Sequence, residues 1–212
     1  TYDKAMRDRN RLLKDQVRDA HWYHALETQM AAAGYRVHQA RVSALEHLRI
    51  SQERAETAFP IAELELRQSE GEMPGSEEDL RQALSDSRFR DMAAGRTLVG
   101  PHRSDVYGVF AAKGVPARKC STGEQKALLV SLILANARAL THLTGSAPIV
   151  LLDEVSAHLD ASRRAALYDE ICALGAQAWM TGTGPELFAE FVDRAQRFEV
   201  LDSGGMSDVR LV

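Results

Sequence analysis

Two adjacent carboxylates, Asp153 and Glu154, follow the apolar run Ile149-Val150-Leu151-Leu152. An apolar strand that ends in two acids delivers both to the C-terminal edge of a sheet, where α/β folds place their ligands. Burying an acid there is costly unless a cation or hydrogen bonds compensate. Asp153 suits Mg²⁺, held directly or through water, because that ion prefers oxygen ligands. Glu154 is then placed to polarise a water for attack on a phosphate. The alternative is that both acids only open a loop or cap the next helix.

Two flanking stretches carry related chemistry. Upstream lies Cys120-Ser121-Thr122-Gly123-Glu124-Gln125-Lys126, just before an Ala- and Leu-rich helix. A helix start presents free N–H groups and a positive dipole end that bind phosphate, and Gly123 lets a ligand approach the backbone. Taken alone, Ser121 and Glu124 read as a plain Ser-x-x-Glu capping box. Downstream lies Ser156-Ala157-His158-Leu159-Asp160, where Asp160 could be the N-cap of the following helix. A lone loop histidine such as His158 is more often a surface or packing residue, and no catalysis is assigned to it. The three stretches together carry the argument. A phosphate-binding helix start, an apolar helix, a strand ending Asp-Glu and then Leu-Asp is the ABC-type order of signature motif, Walker B and D-loop.

The elements that would position these residues can be traced by periodicity. Apolar positions from Leu12 to Met30 recur at three- and four-residue steps, so residues 2–32 read as one long amphipathic helix, with Gly34 as its break. A second helix follows over Val37–Ala55 and stops at Phe59-Pro60. The pair reads as two long antiparallel helices forming an arm. Residues 61–66 alternate as a half-buried strand. Ser76 opens a helix with acids in its first turn that runs to about Ala94 and ends at Gly95.

Beyond Thr97, strands are expected at Val106–Ala111 and Val115–Lys119, and helices at Glu124–Thr141 and Ser162–Leu174. Further strands are expected at Pro148–Leu152, buried on both faces, and at Ala176–Thr181. A short helix at Pro185–Val192 and closing strands at Phe198–Leu201 and Val209–Val212 complete the reading. The fold class is α/β. The expected division is a helical arm and lobe over 1–95 and a signature-and-Walker-B part over 96–212.

The 212 residues suffice for one large or two modest domains, and a charged share of 26% is ordinary for a globular protein. A net charge of −4 means that any nucleic acid must meet a local basic patch. Lys4, Arg7, Arg9, Arg11, Lys14 and Arg18 make the start of the arm such a patch, although a solvated helix face is an equal reading. Cys120 and Cys172 form no metal-ligand cluster, which fits a reducing compartment. With no signal peptide and no run near the ~20 residues of a membrane span, a cytoplasmic protein is the simplest reading. The absence of an initiator Met leads us to expect a fragment.

The stretch from Cys120 through Gln125 to Ala135, then Leu151 to Asp160, then Trp179-Met180-Thr181-Gly182-Thr183 closely resembles the RecF family of ABC-type, SMC-like ATPases. Gly95-Arg96-Thr97-Leu98-Val99-Gly100-Pro101-His102-Arg103-Ser104-Asp105 is similar to another motif of that family. The resemblance implies ATP sandwiched between two copies. Ser121, Gly123 and Gln125 would close over the γ-phosphate in trans. Asp153 would serve Mg²⁺, Glu154 the hydrolytic water, and Asp160 the dimer interface. Thr183 would stand where many ABC ATPases keep a switch histidine, a departure compatible with slow hydrolysis. It further implies an ATP-driven homodimer on single-stranded and gapped duplex DNA, with RecR- and RecO-type mediators, helping to load RecA. No Gly-x-x-x-x-Gly-Lys-Ser/Thr occurs, so the chain is expected to be a C-terminal part lacking the Walker A region and to show no appreciable ATPase alone. A transporter-type ATPase subunit and a non-enzymatic interaction module are the competing readings.

Overall fold

The protein is described by a computed structural model that covers residues 1–156 and 159–212. Its architecture is mixed α/β. Two compact units are built from interleaved segments: Thr1–Arg49 with Glu63–Val109, and Ile50–Ala62 with Phe110–Val212.

In the first unit, α1 (Tyr2–Lys14) and α2 (Ala20–Glu53) form a helical hairpin of unequal arms. The sequence suggested two long helices parted at Gly34. Instead the chain reverses over residues 15–19, where Gln16 takes a left-handed φ of 52° and the Asp19 carboxylate accepts the His21 N–H. Gly34 lies inside α2, a helix of 34 residues. A Cβ there would lie 2.8 Å from the Tyr2 ring, so the missing side chain is a packing notch for α1 and not a stop. The helix expected over residues 76–94 is two, α3 (Glu77–Asp86) and α4 (Arg88–Ala94), parted at the buried Ser87. The Ser76 hydroxyl caps α3 by accepting the Asp79 N–H, and Gly95 ends α4 in a left-handed conformation, both as expected. Strands β1 (Ala62–Gln68) and β2 (Ser104–Phe110) are neighbours in a sheet.

At the centre of this unit, Arg9 is fully buried. Its Nε donates to Glu27 at 3.2 Å, one terminal nitrogen donates to Asp91 at 2.6 Å and to Thr97 Oγ1 at 2.9 Å, and the other to the Leu84 carbonyl at 2.7 Å. Asp91 also accepts from Ser87 and from the Leu98 N–H, and Glu27 also pairs with Arg88. Such a cluster is tolerable only because every charge has a partner of opposite sign and most remaining protons are placed. Nearby, the Tyr2 hydroxyl donates to His102 Nδ1 at 2.7 Å. The other ring nitrogen, Nε2, lies 3.1 Å from the Thr97 carbonyl, which can only accept, so the ring is the neutral Nε2–H tautomer. Gly100 sits beside this pair with φ 131°, and a Cβ there would fall 2.4 Å from the Tyr2 hydroxyl oxygen. The Gly95–Asp105 stretch is thus a packing device of this unit.

The second unit is organised on α5 (Thr122–Thr144), which follows the short strand β3 (Val115–Pro116). Among the described residues α5 is long and apolar enough to cross a membrane by length and composition, where the sequence reading saw no such run. Its Val130, Leu134 and Ala137 instead pack in a core with Val150 and Leu152 of β4 (Val150–Leu152) and with Leu167, Tyr168 and Ile171 of α6 (Ala161–Leu174). Strand β4 pairs in parallel with β5 (Ala178–Met180), Leu152 opposite Met180. Only one face of this pair is covered. Leu151 is 73% exposed and Trp179 56% exposed, which corrects the expectation of a strand buried on both faces. The chain ends in a hairpin of β6 (Phe198–Ser203) and β7 (Met206–Leu211), whose turn residues Gly204 and Gly205 both have positive φ.

Two outcomes test this account. Arg9→Ala strips two buried carboxylates of their shared cation and should cost about 3–5 kcal/mol in urea unfolding; a loss below about 1 kcal/mol would contradict the assigned role. Burial pushes the His102 imidazole below the ordinary histidine range, with the Thr97 hydrogen bond offsetting part of that. The unfolded chain therefore binds this proton at higher pH than the folded one. The stabilisation is complete above about pH 6.5 and is lost as pH falls below it. The thermal midpoint of the natural chain should drop more steeply below pH 6.5 than that of His102→Asn; parallel curves would remove the assignment.

Candidate functional site

The parallel register of β4 and β5 brings three residues, Asp153, Glu154 and Thr181, to one sheet edge. The Thr181 N–H donates to the Leu152 carbonyl at 3.1 Å, extending the ladder one step past β5. The Thr181 hydroxyl donates to Asp153 Oδ1 and accepts the Glu154 N–H at 3.0 Å. One threonine therefore orients the aspartate side chain and fixes the glutamate backbone. Glu154 has a left-handed φ of 53°, one of three non-glycine residues so placed among the described residues. A conformation of that kind costs about 1–3 kcal/mol and persists only where its surroundings enforce it. Asp153 is exposed and Glu154 is half-buried. The sequence reading expected a carboxylate that burial would penalise; Asp153 is instead open to solvent, because the covered face of the pair is the opposite one.

At the start of α5, Ser121 is exposed and forms both halves of a capping box. Its backbone N–H donates to Glu124 at 2.8 Å, its hydroxyl donates to the same carboxylate at 2.9 Å, and its oxygen accepts the Glu124 N–H at 3.4 Å. Lys113 also pairs with Glu124. Those contacts, Lys113 first and then Ser121, pull the Glu124 carboxyl down to about 2. Apart from its chain neighbours and the backbone of its own helix, no heavy atom of the described residues lies within 4 Å of where a Gly123 Cβ would stand, so the backbone there is open to a ligand. Gln125 is exposed, and its side-chain amide donates to the Cys120 carbonyl at 3.1 Å. The first amides of α5, those of Thr122 and Gly123, have no intrahelical partner.

Asp160 caps α6, accepting the Arg163 N–H at 2.9 Å, and is exposed. Thr183 is also exposed, just ahead of the 3₁₀ segment Pro185–Phe191. His158 lies outside the described residues. Among the described residues no hydrogen bond or ion pair joins the Ser121–Gln125 turn to the Asp153–Glu154 pair. The candidate residues of one chain therefore form two separate groups, an amide-rich helix start and a carboxylate edge. Thr181 is the site residue that the sequence reading passed over in favour of Thr183. Its signal was present in Trp179-Met180-Thr181-Gly182-Thr183: a hydroxyl placed immediately after a strand, level with the acids after its neighbour.

No family model matches the chain. It is 48% identical over 213 residues to the DNA replication and repair protein RecF of Allorhizobium ampelinum, covering 97% of this chain and 57% of that protein. It is 50% identical over 207 residues to RecF of Brucella abortus, covering 94% of this chain and 54% of the relative. Among solved structures, the recombination mediator protein RecF–ATPrS of the RecFOR pathway superposes with a TM-score of 0.75 at 26% identity, over 98% of this chain and 56% of that one. The RecF–ATP structure gives a TM-score of 0.72 at 25% identity. The chain spans little more than half the length of these relatives, and over nearly all of its own length it belongs to the RecF family of DNA replication and repair proteins.

Proposed function

We propose that this chain supplies two half-sites of an ATP-binding DNA-repair protein, each completed by other parts of the assembly. The observation that carries the reading is the carboxylate edge. Two acids follow a strand of a parallel pair, one aimed by a threonine and the other held in a strained backbone. An edge of this kind suits a nucleotide's metal and attacking water better than it suits a loop.

On this reading Asp153 serves Mg²⁺. Its Oδ1 is committed to Thr181, which leaves Oδ2 for the ion or a water on it. The donor set fits an ion that keeps most of its waters and takes the rest of its ligands from phosphate. Glu154 would accept the proton of a water that attacks the γ-phosphorus while the bond from that phosphorus to the β-phosphate oxygen breaks and ADP leaves. In a second copy, the turn of Ser121, Gly123 and Gln125 offers its hydroxyl and free amides to that phosphate. Asp160 and Thr183 border the two-copy interface. The Walker A loop belongs to the part of the relatives that this chain does not span, and the exposed face of Leu151 and Trp179 is where that part packs.

DNA is the substrate proposed, single-stranded and gapped duplex, with RecR- and RecO-type mediators as partners, RecA as the loaded product and the cytoplasm as the location. A basic stripe supports this reading. Lys4, Arg7, Arg11 and Lys14 follow one another at three- and four-residue steps on α1, and a groove of about 320 Å³ is lined by Arg7, Asn10, Arg11, Lys14 and Asp15. Buried Arg9 is not in this stripe and belongs to the core.

Two measurements test the proposal. This 212-residue chain alone should show no appreciable ATPase, the full-length protein should hydrolyse ATP, and Glu154→Gln in it should lose at least about a hundredfold in kcat while still binding ATP; unchanged turnover in that variant would sink the role of Glu154. Arg7→Glu with Arg11→Glu in the full-length protein should weaken binding to gapped DNA. The slope of log affinity against log salt should also fall by roughly 2, and an unchanged slope would take α1 off the DNA path.

A further inference from the structure

Helix α6 carries Arg164 and Tyr168 one turn apart, on the same face. Each reaches two segments at once, and the two segments are the same for both. Tyr168 is fully buried and stacks on Phe191 with ring centroids 3.8 Å apart. Its hydroxyl contacts the buried Ser156 hydroxyl at 2.9 Å and also the Leu187 carbonyl. A carbonyl oxygen only accepts, so Tyr168 donates to Leu187 and accepts from Ser156. Arg164 donates to the Leu159 carbonyl at 3.0 Å and to the Glu190 carboxylate at 3.0 Å. Ser156 and Leu159 are three residues apart between the acid pair and Asp160. Leu187 and Glu190 are three residues apart in the 3₁₀ segment that follows Thr183.

We propose that Arg164 and Tyr168 are positioning residues that form a two-rung ladder, tying Ser156 and Leu159, which lie between the acid pair and Asp160, onto the segment that follows Thr183. The proposal rests on the nucleotide-site reading above for its effect on turnover, but the ladder itself does not. Among the described residues no hydrogen bond or ion pair joins either side chain to Asp153 or Glu154; each acts through the segments it joins. With both rungs in place the two segments move as one body. The acids at the end of β4 and the threonine region after β5 are then held in register on both sides: by Thr181 at the edge and by α6 beneath it.

The test uses the full-length protein with Tyr168→Phe, which keeps the stack on Phe191 and removes one hydroxyl, and Arg164→Lys, which keeps the charge opposite Glu190 but cannot span to Leu159. Amide hydrogen exchange at Ser156, Leu159 and residues 187–190 should quicken in both segments together, by about tenfold in each variant. The kcat for ATP should fall by about tenfold with KM within about twofold. The double variant should lose less than the product of the single losses, because both rungs join one pair of segments. Faster exchange in one segment alone, or losses that simply multiply, would overturn the ladder, as would an unchanged kcat in variants of a wild type that does turn over. If the wild type does not hydrolyse ATP, the nucleotide reading fails and the exchange experiment alone decides.

Discussion

The register of β4 against β5 is the constraint on which the carboxylate edge depends. Each strand is only three residues long, yet the pairing of Leu152 with Met180 fixes what comes next on both chains. Asp153 and Thr181 leave the sheet side by side. A parallel pair puts both C-terminal ends at the same edge, whereas an antiparallel pair would send one of them to the opposite edge. A slip of one residue would carry Thr181 away from Asp153 and turn Val150 and Leu152 out of the core. The burial of those two side chains against α5 and α6 therefore sets the chemistry at the edge as well as the stability of the unit.

Charge is handled in two ways in this chain, and the contrast separates structure from function. Arg9, Glu27 and Asp91 are buried and satisfied by one another and by Thr97, Ser87 and backbone groups. Nothing is left over for a ligand, and the cluster ties α1 and α2 to the α3–α4 turn. Asp153 is exposed and receives a hydrogen bond from a hydroxyl, and among the described residues no ion pair joins it to a cation. Glu154 sits in a backbone conformation that an ordinary loop would relax. Stability alone has no use for an exposed acid next to a strained one. The same reasoning sets Asp160 apart, since an N-cap accounts for one of its oxygens and a distant contact with Arg163 for the other.

Much of this was legible in the amino-acid sequence because it is written in local chemistry. Ser76, Ser121 and Asp160 are caps that any helix start would select, and Gly95 is a left-handed stop; each could be read from neighbours within four residues. What was misread depends on residues far along the chain. Gly34 looked like a break because glycine weakens helices, but its neighbour is the Tyr2 ring, and only the packed hairpin reveals a notch. The division at Ser87 is set by its bond to Asp91 inside the Arg9 cluster. Leu151 belongs to an apolar run, and an apolar run cannot say which of its faces this chain will cover. Thr181 went unrecognised because its partners are 27 and 28 positions away.

The capping box at Ser121 looks like a rival to phosphate binding, but the two readings compete for only part of the turn. The box engages the Ser121 N–H, the Ser121 hydroxyl and the Glu124 N–H. The Thr122 and Gly123 amides stay outside it, and among the described residues beyond its own helix nothing stands within 4 Å of a Gly123 Cβ position to block an approach. What the box does hold is the Ser121 proton, now directed at a carboxylate that Lys113 keeps ionised down to about pH 2. A phosphate arriving on the free amides would meet that carboxylate as a like charge, and the Ser121 hydroxyl would face two acceptors in place of one. On the proposed reading, closure of a second copy over this turn therefore requires the hydroxyl to rotate from Glu124 to the phosphate, while Lys113 remains to hold Glu124. The contact that stabilises the helix start in the open chain is the same one that must yield when the site is completed.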